Sequence, residues 1–173
     1  MYYIRKLSKL STESKIKNLV NIEDAPADLL KQEWVTNGNT LSFWKCESLS
    51  DIKDTLKAIL LSTTSIEKSK FIIFDDLMLD NCGIRRDYEE MGKTGYLGFE
   101  DLHVNLCDLT YGKIGNIISM TKDALNQKHL IVELSREDVK SYIREVCDAG
   151  LIDQEKIHDS LLADIKKYGL IAA

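Results

Sequence analysis

The chain has 173 residues, of which 44% are hydrophobic and 29% charged, the length and composition of one ordinary globular core. A net charge of −5 gives no sequence-wide attraction to phosphate backbones, and with no linear basic patch it argues against a nucleic-acid partner. No stretch approaches the roughly 20 apolar residues of a membrane span, and no signal-peptide pattern opens the chain, so the expectation is a soluble, cytoplasmic protein without a membrane partner.

Tyr2-Tyr3-Ile4 starts a short strand, placed at a sheet edge because Arg5 and Lys6 would be harmless there. The following polar segment carries little signal until Pro26, whose missing N–H suits the first turn of a short helix through about Lys31. Asn37-Gly38-Asn39 is a turn.

Residues 40–76 form the organising unit. Leu41, Phe43 and Lys45 alternate with Ser42, Trp44 and Cys46, which predicts a strand over 40–47. Ser48, Ser50 and Asp51 are placed to cap a helix in which Ile52, Leu56, Ile59 and Leu60 share one face. Phe71-Ile72-Ile73-Phe74 then reads as a strand covered on both sides. A helix joining two strands of one sheet makes them parallel. The predicted fold class is therefore α/β (or α+β): a single domain over 1–173 with a central, partly parallel sheet of about four strands covered by helices.

Residues 77–103 read as a long surface excursion, the kind of loop that is more often functional than inert. A short strand near 102–107 follows. Tyr111, Ile114, Ile117, Ile118, Thr121 and Leu125 then mark the strongest helical stripe, ending near Gln127. Leu130-Ile131-Val132 can add a strand. Ser135 with Asp138 is a capping-box variant opening a helix that stops at Gly150, and a second helix is expected over about 154–167. Together they form a C-terminal helical hairpin over 135–169. Its short connection resembles a helix-turn-helix, but the second helix carries Glu155, Asp159 and Asp164 and would repel DNA.

No constellation names a reaction. Cys46, Cys82, Cys107 and Cys147 lack the short spacings of zinc sites and suit buried thiols in a reducing compartment, Cys82 being the candidate for exposure. Gly92-Lys93-Thr94 ends like a phosphate loop, but Asp87 stands where the first glycine belongs and Glu89 and Glu90 would repel phosphate. His103, His129 and His158 are far apart, with His129 beside Lys128 read as a surface residue.

Two functional readings follow. The first is a small acidic binding protein, of immunity or antitoxin type or an accessory subunit, that docks on a protein partner with a basic surface and neutralises it. Its contact residues would be Tyr88, Glu89, Glu90, Tyr96, Phe99 and Glu100 of the excursion, with no cofactor. The second is a metal-dependent phosphoesterase or nucleotide-handling enzyme. There Asp75, Asp76 and Asp80 at a strand end hold Mg²⁺, and His103 with Asp75 forms the catalytic pair, which requires the two to converge. A homo-oligomer formed through Tyr2, Tyr3 or Trp34 is a third expectation.

Overall fold

The computed structural model describes residues 1–7, 10–127 and 130–171. Within these residues six strands form one open sheet: β1 (Tyr2–Leu7), β2 (Leu41–Cys46), β3 (Ser69–Asp75), β4 (Arg85–Asp87), β5 (His103–Cys107) and β6 (Ile131–Leu134). Their spatial order is β4-β5-β2-β1-β3-β6, and every neighbouring pair is antiparallel. This corrects the partly parallel, four-stranded sheet: the fold is α+β. The strands β2 and β3 do run the same way across the helix that joins them. However, β1 lies between them, pairing Tyr3 with Lys45 on one side and with Phe74 on the other.

The first strand is thus central, not an edge. Its charged residues are accommodated by specific partners. Arg5 donates to the carbonyls of Ser42 at 2.7 Å and Glu33 at 3.0 Å and lies over the Trp34 and Phe43 rings. Lys6 reaches Glu67 at 3.0 Å. Burial lowers the pKa of Arg5, and those two carbonyls answer the charge that burial penalises.

Among the described residues seven α-helices sit on the two faces: α1 (Leu10–Lys17), α2 (Ala27–Glu33), α3 (Ile52–Leu60), α4 (Asp76–Asn81), α5 (Tyr111–Gln127), α6 (Arg136–Asp148) and α7 (Asp159–Lys167). Strand side chains alternate between two separate cores. Ile4, Trp44, Cys46, Phe71 and Ile73 pack with Leu56 and Ile59 of α3, Val139 and Ile143 of α6, and Leu161 and Ile165 of α7. Tyr3, Phe43, Ile72, Phe74, Val104 and Leu106 pack instead with Ile16, Leu29, Leu79 and the stripe Ile114, Ile117 and Ile118 of α5. Phe71, Ile72, Ile73 and Phe74 are all buried, two toward each helical layer, and each side chain contributes about 2 kcal/mol of apolar burial.

Local signals account for several boundaries. The capping box of α6 is formed, with Asp138 N–H donating to Ser135 Oγ at 3.2 Å and Ser135 N–H to Asp138 Oδ2 at 2.8 Å. Thr110 Oγ1 accepts from Lys113 N–H in the first turn of α5. At α3 the two serines do not cap the helix, because their hydroxyls bond to Asp51 and to each other. The last helix is shorter than expected: residues 154–156 form a 3-10 turn and α7 begins at Asp159, with His158 Nδ1 accepting from Ser160 N–H.

The surface excursion over 77–103 contains regular elements. It holds α4, the edge strand β4 and, from residue 88 to 99, an ordered strap. Tyr3 and Trp34 are buried, so neither belongs to an exposed pairing face. Cys46 and Cys107 are buried and Cys82 and Cys147 half-buried, and none is in a disulfide. Burial pushes the Cys46 thiol up to about 11, and those of Cys107 and Cys147 upward as well. No helix among the described residues is long and apolar enough to cross a membrane.

Candidate functional site

The strand β5 carries the least ordinary part of the molecule. In His103-Val104-Asn105-Leu106-Cys107, Val104 and Leu106 enter one apolar core, while His103, Asn105 and Cys107 face the opposite way. The antiparallel register sets His103 opposite Trp44, and Asn105 opposite both Ser42 and Asp87. On this face α3 packs over β1 and β2, and α6 lies beside β6. The β2–β5–β4 end is left for the strap.

The strap is fastened along its length. Gly92 N–H donates to Glu100 O at 2.8 Å, Thr94 Oγ1 to Ala58 O at 2.7 Å, and Gly95 N–H to Leu61 O at 3.2 Å. Asp153 N–H donates to Gly95 O, and Leu97 N–H to Leu151 O, both at 2.9 Å. Tyr96, only 4% exposed, stacks on Phe99 at 3.9 Å and donates its phenol to Asp54 at 3.0 Å. Burial and that acceptor push its phenol up to about 12. Gly92 is required by contact: a Cβ there would stand 2.5 Å from Trp44 Cη2 and 2.8 Å from His103 Cβ.

Two buried polar side chains hold the strap's exposed tip. His103, 7% exposed, bonds through Nδ1 to the Glu90 carbonyl at 2.9 Å, and Asn105 Nδ2 donates to Glu90 Oε2 at 2.6 Å. Since a carbonyl only accepts, Nδ1 carries the proton, and in the neutral ring Nε2 is the remaining acceptor. Among the described residues no hydrogen bond occupies Nε2, and it is not a sealed, unsatisfied atom. His103 also lines a cavity of about 310 Å³, together with Ser42, Trp44, Ser62, Glu90 and Lys93 among others. Across Met91, Gly92 and Lys93 it adjoins a wider groove of about 680 Å³ reaching Glu100, Glu155 and Lys156.

Of the six contact residues expected from sequence, Tyr88, Glu89 and Glu90 are exposed at the tip. Phe99 and Glu100 are half-buried, and Tyr96 is interior. Glu100 pairs with Lys156 at 2.7 Å, whose hydrogen bond holds its carboxyl below the usual range. Tyr88 is 44% exposed but anchored: its phenol lies 2.9 Å from that of Tyr3, and Lys45 sits over its ring.

The carboxylates of the enzymatic reading have other partners. Asp75 caps α4, accepting from Met78 N–H at 2.8 Å. Asp76 accepts from the Tyr3 phenol at 2.7 Å and pairs with the Met1 amine at 3.0 Å and Arg86 at 3.4 Å; the Tyr3 bond, then the amine, lowers its pKa. Asp80 pairs with Arg86 at 2.6 Å. Desolvation, then the bonds to Tyr88 and Asp76, raises the Tyr3 phenol. No cluster of three or more metal-ligating side chains occurs among the described residues. His103 and Asp75 are not brought together: β1 and β2 lie between their strands, three strand spacings or roughly 14 Å.

Thr94 is buried and Gly92 lies against Trp44 within the strap, so Gly92-Lys93-Thr94 opens no helix. His129 and Lys128 lie outside the described residues. Sequence reasoning missed Ser42, Trp44, Ser62 and Asn105 as site residues. The alternation of β5, which puts polar side chains where a covered sheet should be apolar, was the available signal for Asn105. Comparison with family models, with curated proteins and with solved structures finds no match to this chain.

Proposed function

We propose that this chain is a non-catalytic binding protein that docks on a protein partner with a basic surface, using the strap tip at residues 88–91. The supporting observation is that two buried side chains, His103 and Asn105, are both committed to the one exposed residue Glu90. A buried histidine and asparagine on a covered sheet face are costly places to put polar atoms, and here their hydrogen bonds hold a surface loop in one shape. Holding a contact loop in advance reduces the ordering entropy lost on association. The tip itself offers an aromatic ring, two carboxylates and the exposed Met91, and Glu89 has no ion-pair partner among the described residues. An exposed aromatic with acidic neighbours suits a complementary cationic patch. Neutralisation of the partner, in the manner of immunity or antitoxin proteins, and a cytoplasmic location belong to the same reading.

The test is quantitative capture by the tagged full chain, comparing wild type with the exposed-site variant Glu89→Lys. The expected result is a stoichiometric basic partner that salt elutes and whose retention falls at least about tenfold in the variant. Absence of a stoichiometric partner, or equal retention by both proteins, would refute the reading.

A further inference from the structure

We infer that the cavity behind the strap is a receptor for one arginine side chain of the partner, an inference that rests on the docking function proposed above. A guanidinium carries five N–H donors and no acceptor, so its receptor must supply several acceptors in a confined space. The cavity does. Glu90 Oε2 is taken by Asn105, which leaves Oε1. His103 Nδ1 is taken by the Glu90 carbonyl, which leaves Nε2 of a side chain more than nine-tenths buried. The Ser62 hydroxyl gives its proton to Ile59 O at 2.7 Å, so toward a ligand it is an acceptor, and Ser62 and Ser42 both line the cavity. Trp44 adds the aromatic neighbour that a weakly hydrated guanidinium favours.

One feature of the cavity opposes a cation: Lys93. Its ammonium is exposed at the rim, shared with the neighbouring groove, and forms no ion pair among the described residues. Its flexible stem lets it swing away toward Glu155 when a guanidinium enters. Removal of Lys93 must therefore strengthen binding of an arginine, whereas it would weaken binding of an anion.

The experiment is an NMR titration of the full, isotope-labelled chain with N-acetyl-arginine amide, and with N-acetyl-lysine amide as a charge-matched probe. Saturable shifts of the Trp44 indole and the His103 ring are expected with the arginine probe, with Kd on the order of millimolar for a fragment of that size. Binding should weaken about tenfold in Glu90→Gln and tighten severalfold in Lys93→Ala. Equal binding of the lysine probe, unchanged affinity in Glu90→Gln, weaker affinity in Lys93→Ala, or no saturable shift overturns the inference. Saturable arginine binding without any basic partner in the capture assay leaves this receptor standing and removes the docking function. A captured partner indifferent to Glu90→Gln, with no arginine binding, does the reverse.

Discussion

Gly92→Ala tests whether the strap is pressed onto the sheet as closely as its geometry implies. The added carbon meets Trp44 Cη2 at 2.5 Å and His103 Cβ at 2.8 Å. Neither neighbour is the free end of a flexible chain: one is a nearly buried indole and the other is attached directly to the backbone of β5. The strap itself must lift, which stretches the Gly92-to-Glu100 and His103-to-Glu90 hydrogen bonds, now 2.8 and 2.9 Å long. Overpacking costs about 1–3 kcal/mol, and each weakened bond a fraction of about 1 kcal/mol, so a net loss of about 2 kcal/mol is expected. For a chain of this size that is a fall of about 4–8 °C in Tm. Urea denaturation followed by tryptophan fluorescence should show a lower midpoint with an unchanged slope, and the Trp44 and His103 resonances should move. Stability within about 0.5 kcal/mol of wild type and unmoved resonances would refute the close contact.

Two further outcomes follow from other contacts. Gly115→Ala, in the interior of α5, should stabilise the protein by about 0.5–1 kcal/mol in the same denaturation assay. Its Cβ would meet only Ile22 Cγ2, at an ordinary 3.6 Å, while helix propensity improves. Loss of stability there would show that the helix cannot accept a methyl group.

The buried ammonium of Lys70 contacts Glu13 and reaches Glu133 at 2.8 Å. For Glu13 the largest influence, burial, works upward, but hydrogen bonds from Lys17 and Lys70 outweigh it and lower its pKa; for Glu133 the Lys70 bond leads, again lowering it. Carboxyls depressed in the folded state contribute stability above their unfolded value of about 4.3, and lose it as pH falls through the folded value. Lys70→Met should therefore cost about 1–2 kcal/mol at pH 7, the half-exposed Glu133 limiting the loss, and the gap from wild type should narrow below about pH 4.3. A gap that stays constant down to pH 3 would show that these pairs carry no pH-linked stability.

What the sequence made legible was local. Phe71 to Phe74 announced a strand covered on both faces because four consecutive apolar residues leave no solvent side, and Ser135 with Asp138 announced a helix start because the two side chains satisfy each other's backbone donors. Strand order was not legible. Arg5 and Lys6 are what an edge strand would carry, and it takes partners distant in sequence, the carbonyls of Ser42 and Glu33 and the rings of Trp34 and Phe43, to make Arg5 tolerable at the centre. The break before α7 was hidden for another reason: Ile157, Leu161 and Ile165 keep helical spacing across it, and all three are buried. At the candidate site, Glu89 and Glu90 could be read as exposed from their charge. The pocket behind them depends on register between β2 and β5, which brings Trp44 to His103 and Ser42 to Asn105 across a long intervening stretch of chain.

The position of β1 bears on how the molecule is made. A segment that leaves the ribosome ahead of both its sheet neighbours meets the first only once β2 ends at Cys46, and the second only once β3 ends at Asp75. Until then β1 itself keeps an unpaired edge, an open template for any extended peptide. Both pairings of β1 close long loops and neither is a hairpin, the kind of contact whose loop-closure entropy slows folding.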